Sequence, residues 1–165
     1  MSTTPNRLSG ALSTQKHDAA AELSQVCSFH LGDGLYGLSI SHILEIVGGA
    51  RPEAVPLAPP FVAGLVHYRG DVLTTVSARK LLGMAPLEGK TPDLLVVEND
   101  GGCFGLIVDS VHEVMTVSPE NFEASPSTVP ERSRVLFAGA YKLKNKLMVM
   151  LDHDRIDPLK LAKAN

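Results

Sequence analysis

Short apolar runs separated by turn residues dominate this sequence, and their spacing limits the folds open to it. About nine runs, each roughly five to seven residues long, are rich in β-branched side chains or alternate in polarity. A parallel α/β fold needs about ten or more helical residues after each strand, and the chain lacks them. The sequence therefore predicts an all-β sandwich or barrel with two or three short connecting helices. The predicted strands are 25–31, 35–40, 65–69, 72–76, 93–97, 103–108, 111–117, 135–141 and 147–151.

An Arg-Gly pair interrupts the apolar run at the centre of the chain. By strand periodicity, Arg69 ends a strand on the side that is not purely apolar. Gly70-Asp71 is predicted to turn the chain into the antiparallel strand at 72–76. Held there, Arg69 offers a planar fork of donors to a carboxylate of this protein or of a partner. It is the leading candidate for a functional residue.

Local capping signals predict two short helices. Ser77 is placed to cap a helix over 78–82 that ends at Gly83. Ser41 is placed to cap a second helix over 41–47.

Three further signals concern a helix face, a connector and the C-terminal segment. On the predicted helix 41–47, Glu45 would lie on a different face from Ile43. Four prolines between 52 and 60 predict a stiff, extended connector. Near the C-terminus, Asp152 is predicted to cap a short helix that Pro158 disturbs.

Composition excludes several classes of protein. The chain has 165 residues, 44% hydrophobic content and a net charge of −3, so we expect one globular domain with no attraction to nucleic acid or anionic lipid. No apolar run approaches the ~18 residues of a membrane span, and we expect a cytoplasmic protein without membrane insertion. Cys27 and Cys103 are interpreted as buried, reduced thiols, because they have neither zinc-site spacing nor a secretory context. Residues 1–24 are predicted to be a flexible lead-in.

No motif in the chain predicts catalysis, a metal or a cofactor. His112-Glu113 lacks the second histidine of a zinc-protease helix. Asp152-His153-Asp154 places three adjacent side chains that cannot all face one ion. Residues 32–37 match G-x-G-x-x-G, but a strand follows where a dinucleotide site needs a helix. We therefore expect no enzymatic activity, no cofactor and no metal.

Three stretches of the chain together resemble the CheW-like chemotaxis coupling proteins. They are VPLAPPFVAGLVHYRG at 55–70, ILEI at 43–46 and GLIVDSVHEV at 105–114. The resemblance covers about residues 25–157 and implies two intertwined five-stranded β-barrels, with 158–165 as a C-terminal tail. It also implies an adaptor that joins the cytoplasmic tips of methyl-accepting chemoreceptors to the regulatory domain of a CheA-type histidine kinase. Other CheW-like proteins are further implied partners, and recruitment to membrane-associated receptor arrays is the implied location.

The resemblance also implies two sets of contact residues. Those for the receptor hairpin, in a groove between the barrels, are Ile43, Gly64, Gly105, Val111 and Val114. Glu45 and Arg69 fall on the acidic and arginine positions near the kinase contact. An oppositely charged pair there would tune register and specificity more than affinity.

A rival hypothesis from another class is a small β-barrel that binds a ligand or single-stranded nucleic acid. Such a site needs a basic groove with stacking aromatic side chains. The chain has eight aromatic residues among Phe and Tyr, no tryptophan and a negative net charge. These features favour the adaptor.

Overall fold

The computed structural model describes residues 23–124 and 131–164, and within them eleven strands form two sheets. Two α-helices, α1 (Ala78–Leu81) and α2 (Pro158–Ala164), and three 3-10 turns, Ile40–His42, Pro119–Asn121 and Glu131–Leu136, connect the strands or follow them. The strands are β1 (Ser24–Leu31), β2 (Gly34–Ser39), β3 (Ile43–Val47), β4 (Val62–Tyr68), β5 (Asp71–Ser77), β6 (Asp93–Asn99), β7 (Gly102–Val108), β8 (Ser110–Val117), β9 (Phe122–Glu123), β10 (Phe137–Lys142) and β11 (Leu147–Leu151).

The chain passes from one sheet to the other and back. The first sheet has six strands in the order β8-β1-β2-β11-β10-β9, and the second has five in the order β3-β6-β7-β5-β4. The two sheets are therefore intertwined in sequence, as expected. Two points differ from the expectation: the first sheet has six strands, and in the described residues the outer strands of neither sheet pair with each other. The architecture is two open sheets, and closed barrels are not seen.

The five-stranded sheet nevertheless curls until its edges approach each other. The backbones of Glu53 and Leu65 exchange two hydrogen bonds of 2.8 Å, and Ala50 N–H donates to the Pro92 carbonyl at 2.8 Å. Gly64 has a φ of +146° and passes against Glu53, where an added Cβ would overlap the Glu53 carbonyl oxygen. The segment after β3 thus spans the gap between the edge strands, and Gly64 permits its close approach.

Three apolar clusters hold the molecule together. The largest lies between the sheets and includes Phe29 and Leu38 from the first and Leu95, Phe104 and Leu106 from the second, all almost fully buried. Burial of each such side chain stabilises the fold by roughly 1.5–3 kcal/mol. Each sheet also encloses a smaller cluster of its own. The central core therefore depends on both sheets being in place.

The predicted helix over 41–47 is wrong. Ile40–His42 form a 3-10 turn, and Ile43–Val47 form β3, which pairs antiparallel with β6. The segment is rich in β-branched residues, and pairing with a buried strand outweighs the weak helical signal. As a result Leu44 and Ile46 project outward, 51% and 42% exposed.

The prediction for the C-terminal helix is also wrong. Pro158 begins α2, because a first-turn position has no need of the N–H that proline lacks. Asp157 caps this helix by accepting a hydrogen bond from Leu159 N–H at 2.9 Å. Asp152 instead accepts from Asp154 N–H in the preceding turn. Thus Pro158 starts an element that it was expected to disturb.

Other local predictions hold or need a smaller correction. Ser77 caps α1 as predicted, accepting from Lys80 N–H at 3.2 Å. The strand predicted at 135–141 begins only at Phe137, after the 3-10 turn. Cys27 is buried and Cys103 is only half-buried, with both thiols free. The lead-in predicted for residues 1–24 falls mostly outside the described residues, and Ser24 already belongs to β1.

Candidate functional site

Arg69 occupies the turn of the β4–β5 hairpin. Tyr68 pairs with Asp71, so the two turn residues are Arg69 and Gly70, with φ angles of +50° and +82°. The turn is therefore one residue earlier than the predicted Gly70-Asp71. A two-residue turn with positive φ at both positions matches the twist of a hairpin but disfavours a side chain at its first position. The arginine is thus held in a conformation that glycine or asparagine would adopt more readily.

The Arg69 side chain meets Glu45 from the opposite edge of the sheet. Arg69 Nη2 and Nε donate to Glu45 Oε1 at 2.7 and 3.1 Å, and the Tyr68 hydroxyl donates to the same oxygen at 3.0 Å. Arg69 Nε also donates to the Tyr68 oxygen at 3.0 Å, and its guanidinium carbon lies 5.4 Å from the Tyr68 ring centroid. One carboxylate oxygen is therefore the common acceptor of the cluster.

The charges of this cluster stabilise each other at the surface. Hydrogen bonds from Arg69 and Tyr68 lower the pKa of Glu45, and the bond to Glu45 raises the pKa of Arg69. Both groups are ionised at neutral pH. The Arg69 side chain is 72% exposed and that of Glu45 36%, and exposed pairs contribute little to folding stability. A partner can therefore reach both charges without unfolding the sheet.

Two of the residues expected to contact the receptor, Gly64 and Gly105, lie buried within the five-stranded sheet. Thr75 pairs with both of them, and its hydroxyl donates to the Gly64 carbonyl at 2.8 Å. A Cβ added at Gly105 would lie 2.6 Å from Leu94 Cδ1 and 2.8 Å from Thr75 Cγ2. Neither glycine lies at the surface. Both positions require glycine because the neighbouring atoms leave no room for a Cβ.

Two of the other three predicted receptor residues, Ile43 and Val111, lie at the junction of the sheets. Ile43 and Val111 are half-buried and pack against the central core, as does Ile40, which the sequence did not single out. Asp93 fixes the start of β8 by accepting from Val111 N–H at 2.8 Å. Val114 is 46% exposed on the same strand. The structure thus unites Ile43 and Val111 at one core and leaves Val114 accessible.

A partly buried ion pair that sequence reasoning missed connects the two sheets. Arg79, on α1, donates to both oxygens of Asp109 at 2.6 and 2.7 Å. Gly32 N–H, in the turn between β1 and β2, donates to Asp109 at 2.7 Å, and Arg79 also donates to the Ala85 carbonyl. Asp109 lies between β7 and β8, where the chain returns to the first sheet. The only sequence signal was an aspartate directly after an apolar strand, and this signal does not predict which residue pairs with it.

The electrostatics of this pair follow from its burial and its hydrogen bonds. Burial alone would raise the pKa of Asp109, but hydrogen bonds from Arg79 and the Gly32 N–H outweigh it, so this pKa lies below its ordinary value. The bond to Asp109 raises the pKa of Arg79. The two side chains are 17% and 12% exposed, so water screens the pair weakly. It fixes the β1–β2 turn, α1 and the strand crossover relative to one another.

The described residues contain neither a metal-binding cluster nor a membrane-spanning helix. No group of three or more His, Cys, Asp or Glu side chains in the described ranges is arranged to hold a metal ion. In the same ranges, no helix is long and apolar enough to cross a membrane.

Comparison with known proteins gives consistent matches over most of the chain. The family model described as a CheW-like domain matches residues 25–158. The chemotaxis protein CheW of Rhizobium meliloti (strain 1021) is 26% identical over 135 residues, which are 81% of this chain and 87% of the relative. That of Helicobacter pylori is 28% identical, covering 86% of each chain. The crystal structure of the scaffolding protein TtCheW from Thermoanaerobacter tengcongensis superposes with a TM-score of 0.72 at 27% identity, covering 81% of this chain and 91% of that one.

Proposed function

The chain belongs to the CheW-like family, and on this premise we propose how its surfaces join a chemoreceptor to a histidine kinase. The protein is a chemotaxis adaptor of the scaffold type, with chemoreceptors and a CheA-type kinase as its general partners. The observation that carries this function is the family match over residues 25–158 together with the shared fold. The family is one of scaffolds, and we propose that this chain likewise acts by position, without a catalytic step.

We propose that the kinase regulatory domain contacts the Glu45–Arg69 cluster. The support is the strained turn that holds Arg69, the exposure of both charges and their location where the edges of the five-stranded sheet approach each other. A charged pair at the rim of an interface sets register and specificity through charge complementarity. The cluster therefore selects the partner and its orientation.

We propose that the tip of the receptor's helical hairpin binds at the junction of the sheets. Ile43 and Val111 supply apolar side chains there, and Val114 adds an exposed one on the same strand as Val111. Gly64 and Gly105 act indirectly, since their close packing shapes the sheet beneath that surface. Apolar side chains of this kind suit the apolar face of a helix.

The remaining parts of the proposal concern domain limits and location. We propose one adaptor domain over 25–157, with 1–24 as a lead-in and 158–165 as a tail. Recruitment to a receptor array at the membrane would then follow from receptor binding alone. Other CheW-like proteins are proposed as neighbours in such an array.

The test is binding of the purified full-length chain to a chemoreceptor cytoplasmic fragment and, separately, to the kinase regulatory domain. We expect the wild type to bind both. Arg69→Ala should weaken kinase-domain binding about three- to thirtyfold, because it removes one side of a partner-facing charge pair, and it should leave receptor binding and the circular dichroism spectrum unchanged. Val114→Ala is the matched variant for the receptor surface. It should weaken binding to the receptor fragment and leave kinase-domain binding unchanged.

Two results would contradict this proposal. An Arg69→Ala protein that is unfolded by circular dichroism would assign Arg69 a structural role. Wild-type protein that binds neither partner would reject the adaptor surfaces proposed here.

A further inference from the structure

Leu57 is exposed and strained at the same time. Its φ is +63°, and its relative accessibility is 104%. A left-handed conformation costs a residue with a Cβ roughly 1 kcal/mol or more. Full exposure of a leucine forgoes any stabilisation from burial. Neither feature helps the isolated chain to fold.

Backbone hydrogen bonds and prolines constrain the turn that carries Leu57. Ala58 N–H donates to the Val55 carbonyl at 3.3 Å, and Pro56 occupies the position that precedes Leu57 in this turn. The flanks are fixed by the Glu53–Leu65 backbone pair on one side and by the bond from Val62 N–H to the Pro59 carbonyl, 3.0 Å, on the other. Proline restricts φ and so reduces the entropy lost when such a turn is held by a partner. These contacts and prolines restrict the conformations open to Leu57 before a partner binds.

Leu57 and Arg69 flank the same outer strand, β4. They are the two non-glycine residues with positive φ in the described part of the chain. The turn at 55–58 precedes β4 and Arg69 follows it, while β4 is an outer strand of its sheet. A seven-residue strand is roughly 20 Å long, which fits the width of one protein interface. Backbone strain concentrates at functional sites, and here it occurs just before and just after one outer strand.

We propose that Leu57 is an apolar anchor that inserts into a concave pocket of the kinase regulatory domain, the same partner that contacts Arg69. This inference rests on the proposed function, and it adds a second contact in the segment that precedes β4, whereas Arg69 follows that strand. A convex turn with one leading side chain requires a concave receiving surface. A helical hairpin presents a convex surface, so the receptor is the poorer fit. Charge at Arg69 and apolar insertion at Leu57 would together set the register of the two domains.

The test separates folding from binding by relieving the strain while removing the anchor. Leu57→Gly and Leu57→Asn both adopt positive φ more readily than leucine. We expect their denaturant midpoints to equal or exceed that of the wild type. Their binding to the kinase regulatory domain should weaken about tenfold or more, as for truncation of an interface anchor, with receptor-fragment binding unchanged. A merely structural leucine would not give these opposite changes.

Two control variants complete the design. Leu57→Met keeps an apolar side chain in the same strained turn and should retain binding within about threefold. Val135→Ala removes an exposed apolar side chain, 62% accessible, beside the other sheet, and should leave kinase-domain binding unchanged.

The inference is overturned if Leu57→Gly binds the kinase domain as tightly as the wild type, or if it loses receptor binding instead. In either case Arg69→Ala still reports on the proposed function. A lowered midpoint for Leu57→Gly also overturns the inference. A wild type that binds no kinase domain rejects the proposed function itself.

Discussion

Individual side chains in this protein divide into those that stabilise the fold and those that are left for partners. Asp109 belongs to the first group, because it is mostly buried and accepts from Arg79 and from the Gly32 N–H across the junction. Glu45 belongs to the second, because its ion pair with Arg69 is exposed. The two pairs have the same chemistry, and burial alone separates their roles.

Asp109→Asn should destabilise the protein by about 1–3 kcal/mol, because it removes the counter-charge and weakens the charge-assisted hydrogen bonds of a partly buried guanidinium. The pKa of Asp109 is lowered in the folded state, so its stabilisation is complete above the unfolded value of about 3.9 and is lost as pH falls through the folded pKa. Chemical denaturation of both proteins between pH 7 and 2.5 checks this. The difference in free energy of unfolding between the wild type and the variant should become smaller at the acidic end of this range. A constant difference would contradict the assignment.

At the scale of elements, the crossover between the sheets is also a contact point for the C-terminal segment. His42, in the 3-10 turn before β3, stacks on His153, with ring centroids 3.5 Å apart and planes 14° from parallel. Burial and the charge of His153 lower the pKa of His42, against smaller opposite effects of acidic neighbours. These neighbours are Glu98, Asp152 and Asp154. Two imidazoles so close cannot both carry a proton without repulsion.

We therefore expect stability to fall as the pH drops below neutral. A histidine whose folded pKa is depressed contributes fully above its unfolded value, about 6.5, and its contribution is lost as pH falls through that value toward the folded pKa. His42→Phe keeps a ring that can stack and removes the titration, so its unfolding midpoint should vary less than that of the wild type between pH 8 and 5. Equal slopes for the two proteins would show that other groups dominate in this range.

The whole molecule is organised by a core that neither sheet can form alone. Phe29 of β1 and Leu106 of β7 belong to one cluster, and the chain enters the second sheet only between two visits to the first. Loss of one sheet would expose the apolar face of the other. The domain should therefore unfold as one cooperative unit.

Leu106→Ala should test this cooperativity. Truncating a fully buried leucine to alanine lowers the free energy of unfolding by about 2–5 kcal/mol. Both sheets should be destabilised, because they share the core. Amide hydrogen exchange checks it: protection in β1 should fall by the same free energy as protection in β6. A loss restricted to the second sheet would mean that the sheets unfold separately.

Several features could be predicted from local sequence because their causes lie within a few residues. Alternating polarity and turn residues predict the hairpins, and Ser77 three residues before the Lys80 N–H predicts its cap. The importance of Arg69 also followed from its place beside a glycine turn, although the turn lies one residue earlier than predicted. The all-β class needed only the absence of long helical periods.

Other features depended on contacts between distant parts of the chain. Residues 43–47 form a strand because they pair with β6. Arg79 forms an ion pair with Asp109, thirty residues further along the chain. The buried place of Gly64 depends on Glu53 crossing its backbone. The sequence by itself determined the class, the hairpins and the candidate arginine, since periodicity and capping are local. Tertiary structure decided the strand identity of 43–47, the packing role of the glycines and the ion pair between the sheets, because pairing and burial depend on which distant groups meet.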